Sequence, residues 1–213
     1  MEVYDSEREQ FDVLKTWWQQ NGKAIVIGSI LGIGTLVGWQ QWQSGKQESS
    51  EAASQEYGVL LDNMEKQNLQ GVKERGATIM NNFAKTPYAA LAALAVAKVN
   101  VEEGDIASAR IHLQKVVDQK DQLQFQHVAR LRLARLILDE GEAKQALDLV
   151  KSVDVAGFAS AYDELKGDIH AALGNTAEAR SAYERAIAAM DAALDQSIIK
   201  MKLDDLGETE VTL

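Results

Sequence analysis

From Ala24 to Val37 the chain reads Ala-Ile-Val-Ile-Gly-Ser-Ile-Leu-Gly-Ile-Gly-Thr-Leu-Val, and between Lys23 and Lys46 no residue carries a formal charge. That apolar centre is short for a bilayer and matches the hydrophobic region of a secretory signal in length. The flanks decide between the two. Trp17 and Trp18 precede the stretch and Trp39 and Trp42 follow it, and these are all the tryptophans of the chain. An aromatic belt at two membrane interfaces has that placement. Counting the neutral flank to Gly45 gives about 22 residues, roughly 33 Å of helix, which is enough to span. A cleaved signal would carry a basic start and small residues just after the core. Here the first 23 residues are acidic overall and Val37-Gly38-Trp39-Gln40 is a poor cleavage site. The pattern predicts a transmembrane helix over 24–45.

Arg8, Lys15 and Lys23 precede the span and only Lys46 follows it closely. The cation excess therefore places residues 1–23 in the cytoplasm as a short tail. Within that tail Phe11, Leu14 and Trp18 recur near a helical period, as in an amphipathic helix on the inner leaflet that ends at Asn21-Gly22. Inside the span, Gly28 and Gly32 are four apart, as are Gly34 and Gly38. This spacing lets a second membrane helix approach closely, and it equally suits the ordinary tolerance of glycine in such helices.

Residues 46–54 are polar and read as a linker or the start of a helix. From 55 to 206 the apolar spacing is helical throughout, and it repeats. Gly104 is followed five residues later by Ala109, Gly141 by Ala146 and Gly174 by Ala179. The glycines are 37 and 33 residues apart, on either side of the 34-residue tetratricopeptide period. Seven residues before them stand Ala97, Ala134 and Gly167, all small, and nine after them Leu113, Val150 and Tyr183, all large. Antiparallel helices that touch closely need that size pairing, and the tight turn needs a residue that accepts positive φ. Residues 51–66 and 69–84 read as one more helix pair without a turn glycine. Thr86 is placed as an N-cap with Pro87 at the first helical position. Thr176 to Leu206 reads as one long or broken capping helix, and 207–213 as a frayed tail. An irregular alanine-rich bundle shares the composition but not the register.

Composition narrows the function. One proline in 213 residues fits helix following helix, so the expected fold class is all-α, one transmembrane helix followed by a tetratricopeptide-like solenoid. A net charge of −10 disfavours nucleic acid. Without cysteine there are no disulfides, thiolate metal sites or cysteine nucleophiles. No phosphate loop, metalloprotease or hydrolase motif occurs. The histidines, His112, His127 and His170, are far apart and suit packing on helix faces. No catalytic residue, metal site or cofactor is expected.

A solenoid of this kind binds on the concave face of its first helices. Counting back from the turn glycines puts Leu91, Leu94, Lys98 and Val101 on that face in the first unit. Val128, Leu131, Arg135 and Leu138 follow in the second, and Ala161, Glu164, Asp168 and Ala171 in the third. The first two units are apolar with two cations and the third is acidic, which suits a polypeptide ligand. Some of these leucines suit a core position equally well.

Several segments resemble the YfgM family in order along nearly the whole chain. They are Met1-Glu2-Val3-Tyr4, Asn21-Gly22-Lys23-Ala24, the Gly-rich span ending Gly38-Trp39, and Leu131-Arg132-Leu133-Ala134-Arg135. Gly174 with Ala179-Arg180-Ser181-Ala182 and Met201-Lys202-Leu203 complete the set. The resemblance implies an ancillary subunit of the SecYEG translocon, anchored in the bacterial inner membrane with a periplasmic repeat domain. It further implies association with the membrane-anchored chaperone PpiD, a role in handling newly exported, unfolded proteins, and, as a competing role, restraint of an envelope-stress phosphorelay.

Overall fold

The computed structural model describes residues 3–119, 122–153, 156–191 and 194–207. Among them every regular element is helical. The chain divides into two units, Met1–Glu51 and Ala52–Leu213.

Helical hydrogen bonding runs over Val3–Glu65 (α1), which takes in the described residues of the first unit. Asn21-Gly22, expected to end a helix, does not. The segments Leu14–Lys23 and Val26–Glu65 instead meet at a bend of 50°. No single helix passes as long and apolar enough to cross a membrane, but this bent pair does so together. Leu31, Ile33 and Leu36 are exposed by 66%, 63% and 69%, and Trp17, Trp18, Trp39 and Trp42 are exposed too. Residues 46–54, read as a linker or helix start, are helical.

The second unit continues with α2 (Leu69–Asn82), α3 (Pro87–Glu102), α4 (Ile106–Val117), α5 (Leu123–Asp139), α6 (Ala143–Val150), α7 (Ala159–Ala172), α8 (Thr176–Ala189) and α9 (Ser197–Asp205). Each helix packs on the next from α2 to α9, and α3, α5 and α7 also touch in series. The region after Thr176, read as one long or broken helix, forms two, α8 and α9. Residues 208–213 of the expected tail lie outside the described residues.

The turns explain the order. Gly104, Gly141 and Gly174 have φ of +80°, +83° and +76°. After each, the next N–H reaches five residues back: Asp105 to the Asn100 carbonyl, Glu142 to that of Ile137 and Asn175 to that of His170, at 2.8, 3.0 and 2.8 Å. This closure satisfies carbonyls left open at a helix end. The pair without a glycine turns in the same way. Gln67 takes φ +54°, and the Asn68 N–H reaches the Asn63 carbonyl at 2.9 Å.

Ala97, Ala134, Ala109, Ala146 and Ala179 are all buried, as are their large counterparts Leu113, Val150 and Tyr183. Asn68 and Asp105 cap the helices that follow them by accepting from Gly71 N and Ser108 N. Thr86 differs from expectation. It occupies the N-cap position with Pro87 behind it, but its hydroxyl donates to the Phe83 carbonyl at 2.8 Å and caps nothing.

Candidate protein-binding groove

In α3, alanines at 89, 90, 92, 93, 95 and 97 are buried against α2 and α4 and let those helices approach closely. Its remaining surface carries Lys98, Val101 and Glu102, all exposed. Opposite lies α5, whose sequence Ala-Arg-Leu-Arg-Leu-Ala-Arg-Leu alternates core residues with arginines. A cleft of about 380 Å³ opens between them. Leu94, Ala97 and Val101 of α3, Leu113 of α4 and Leu136 of α5 form its apolar part. Lys98, Glu102, Arg132 and Arg135 stand round it. Lys98 pairs with Glu102 at 3.5 Å. A second depression, of about 440 Å³, continues past Lys98 and Glu102 to Met64, Gln67 and Leu69 at the preceding turn.

Four of the eight residues expected on this face in the first two units line the cleft: Leu94, Lys98, Val101 and Arg135. Val101 is 38% exposed, while Leu94 is only 7% exposed and serves as floor and core at once. Leu131, at 5%, is core and does not line the cleft. Leu91 and Val128 are half-buried, and so is Leu138, which packs on the core. Ala97, Glu102, Leu113, Arg132 and Leu136 were not anticipated. On α3 three of the four expected residues line the cleft, whereas on α5 only Arg135 does, joined by Arg132 and Leu136.

The acidic third unit is occupied by its own chain. Lys202 of α9 lies 2.7 Å from Glu164 and 2.9 Å from Asp168. The Tyr183 hydroxyl donates to Asp168 Oδ1 at 2.8 Å, and burial together with this neighbour raises the phenol's pKa above its ordinary value. Arg180 donates to the Gly207 carbonyl and ties down the end of α9. Gly207 itself has φ +71° and lies 33 residues after Gly174. Thus α9 stands at the position of the first helix of a fourth unit, and Lys200 stands where the other units keep Ala97, Ala134 and Gly167. That spacing was available in the sequence.

His127 is buried between α5 and α7, with Nδ1 3.0 Å from the Tyr162 hydroxyl and its ring stacked on Phe158 at 4.9 Å. This joins the second unit to the third. No group of three or more potential metal ligands occurs among the described residues. In the first unit, apart from the adjoining residues and the helix's own nearby backbone, nothing lies within 4 Å of where a Cβ would stand at Gly28, Gly32, Gly34 and Gly38.

A family model described as a tetratricopeptide repeat-like domain matches residues 15–208. Three similar curated proteins bear the name ancillary SecYEG translocon subunit. The one from Haemophilus influenzae is 32% identical and covers 96% of this chain and 100% of its own. That from Aggregatibacter actinomycetemcomitans is 33% identical over 94% and 97%, and that from Escherichia coli 28% over 97% and 100%. No solved structure matches.

Proposed function

The chain belongs to the tetratricopeptide repeat-like family of the ancillary SecYEG translocon subunits, and on that premise we propose that it is a membrane-anchored adaptor at the Sec translocon. In this reading residues 24–45 cross the inner membrane, 1–23 remain in the cytoplasm and the repeat domain faces the periplasm. There it holds newly exported polypeptide in the groove between α3 and α5, alongside a PpiD-like chaperone. Exposed leucines and isoleucines bounded by tryptophans support the anchor, since so contiguous an apolar surface calls for a lipid or protein cover. The open flanks of Gly28, Gly32, Gly34 and Gly38 support helix packing within the membrane. The observation that carries the reading is the apolar cleft with charged edges, a surface for polypeptide.

The test is co-purification of SecYEG with the full chain from membranes in mild detergent. The full chain and a form lacking residues 2–20 should both retain the translocon, and exchange of 24–45 for an unrelated span should lose it. Retention after the exchange would move the translocon contact into the repeat domain. Absence of SecYEG from the full chain would sink the adaptor reading.

A further inference from the structure

The cleft between α3 and α5 is cationic in a protein that is strongly anionic. The whole chain carries −10, yet Lys98, Arg132 and Arg135 face the cleft against the single acid Glu102. Lys98 and Glu102 pair with each other, which leaves the two arginines as the net charge of the site. Two other arginines of this unit are engaged by the chain's own acids. Arg110 lies 2.6 and 3.0 Å from Glu140 and Glu142, and Arg75 lies 3.1 Å from Glu56. Arg132 and Arg135 have no ion pair among the described residues and are exposed. A guanidinium free of acids next to an apolar floor is suited to a carboxylate brought in by the ligand, with two parallel hydrogen bonds.

We infer that the cleft selects acidic–apolar polypeptide segments: one or more large aliphatic side chains on Leu94, Val101 and Leu136, with Asp or Glu meeting Arg132 and Arg135. This rests on the groove reading above and adds the sign of its preference. The net negative charge of the chain does not cancel that preference. Charges are screened over about 8 Å at physiological ionic strength, so acids on distant helices act weakly while the two arginines act at contact. The volume, near the lower end of the range for ligand pockets, admits a few side chains and not a folded domain.

The experiment uses the full chain in nanodiscs and two fluorescent synthetic peptides. Both have the same leucines, with glutamate at every charged position of one and lysine at those of the other. The acidic peptide is expected to bind at least about tenfold more tightly, a difference of about 1.4 kcal/mol. Arg132→Ala with Arg135→Ala should bring the two within about twofold while helical circular dichroism stays unchanged, since both side chains are exposed. Equal binding of the two peptides, or a preference for the basic one, would overturn the inference, and loss of both on Val101→Glu would then show the groove reading still standing. Binding that ignores Val101→Glu, or no binding of either peptide, would overturn the groove reading and the inference together.

Discussion

Tyr183 lays its ring on Gly167 so closely that a Cβ at Gly167 would stand 2.3 Å from Tyr183 Cε1. The pair repeats, with the sizes pushed further apart, the register of Ala97 with Leu113 and Ala134 with Val150. Gly167→Ala should therefore cost about 1–3 kcal/mol through overpacking. Tyr183→Phe should cost about 1–2 kcal/mol through loss of the hydroxyl's bond to Asp168. Adding Tyr183→Leu to Gly167→Ala recreates the sizes found in the first unit. The double variant should be more stable than the sum of the single changes, by thermal or urea melts of the full chain. Strict additivity would contradict the pairing.

Gln67 holds a left-handed conformation that the next three turns assign to glycine. A side chain costs about 1 kcal/mol there. Gln67→Gly should raise stability, by up to that amount less the entropy glycine adds to the unfolded chain. Gly141→Ala should lower it by about 1 kcal/mol. Paired denaturant midpoints check both signs.

His112, half-buried on α4, has its pKa lowered by desolvation and then by the nearby Lys115. The unfolded chain therefore binds a proton that the folded chain resists. The resulting contribution to stability is complete above about pH 6.5 and is lost as pH falls from there toward the folded pKa. His112→Gln should flatten the stability profile just below pH 6.5. Asp105 acts in a lower window. Its hydrogen bonds with Ser108 lower its pKa, so its contribution holds above about pH 3.9 and is lost as pH falls through the folded value.

All four tryptophans flank the apolar stretch and none lies in the repeats. Tryptophan fluorescence of the full chain thus reports only on the proposed anchor. In vesicles with brominated lipid chains the emission should be strongly quenched, and more by bromine near the headgroups than near the bilayer centre. Emission indifferent to bromine would remove the anchor.

Much of the fold was legible because its turns depend on one residue type. Gly104, Gly141 and Gly174 mark positions where the backbone demands positive φ, and the small and large residues at fixed offsets follow from how closely two helices approach. Gln67 could not be recognised, since a residue held left-handed by its neighbours leaves no mark in the sequence. The fourth unit was missed although Gly207 keeps the period, because Lys200 stands where the other units keep a small residue. The lining of the cleft was half legible. Counting from a turn finds a helix face, and so found Leu94, Lys98, Val101 and Arg135. It does not find the edge that a neighbouring helix presents, hence Arg132 and Leu136, and it took Leu131 from the core.

The most direct test of the account is crosslinking from the cleft in intact membranes. The chain has no cysteine, so a single introduced cysteine carrying a photoreactive group is a unique probe. It would be placed in turn at Lys98, Val101 and, on the exposed side of α6, Lys144. With a secretory precursor arrested in the translocon, positions 98 and 101 should crosslink to the precursor and position 144 should not. Equal labelling from all three, or labelling from 144 alone, would contradict a groove that holds exported polypeptide.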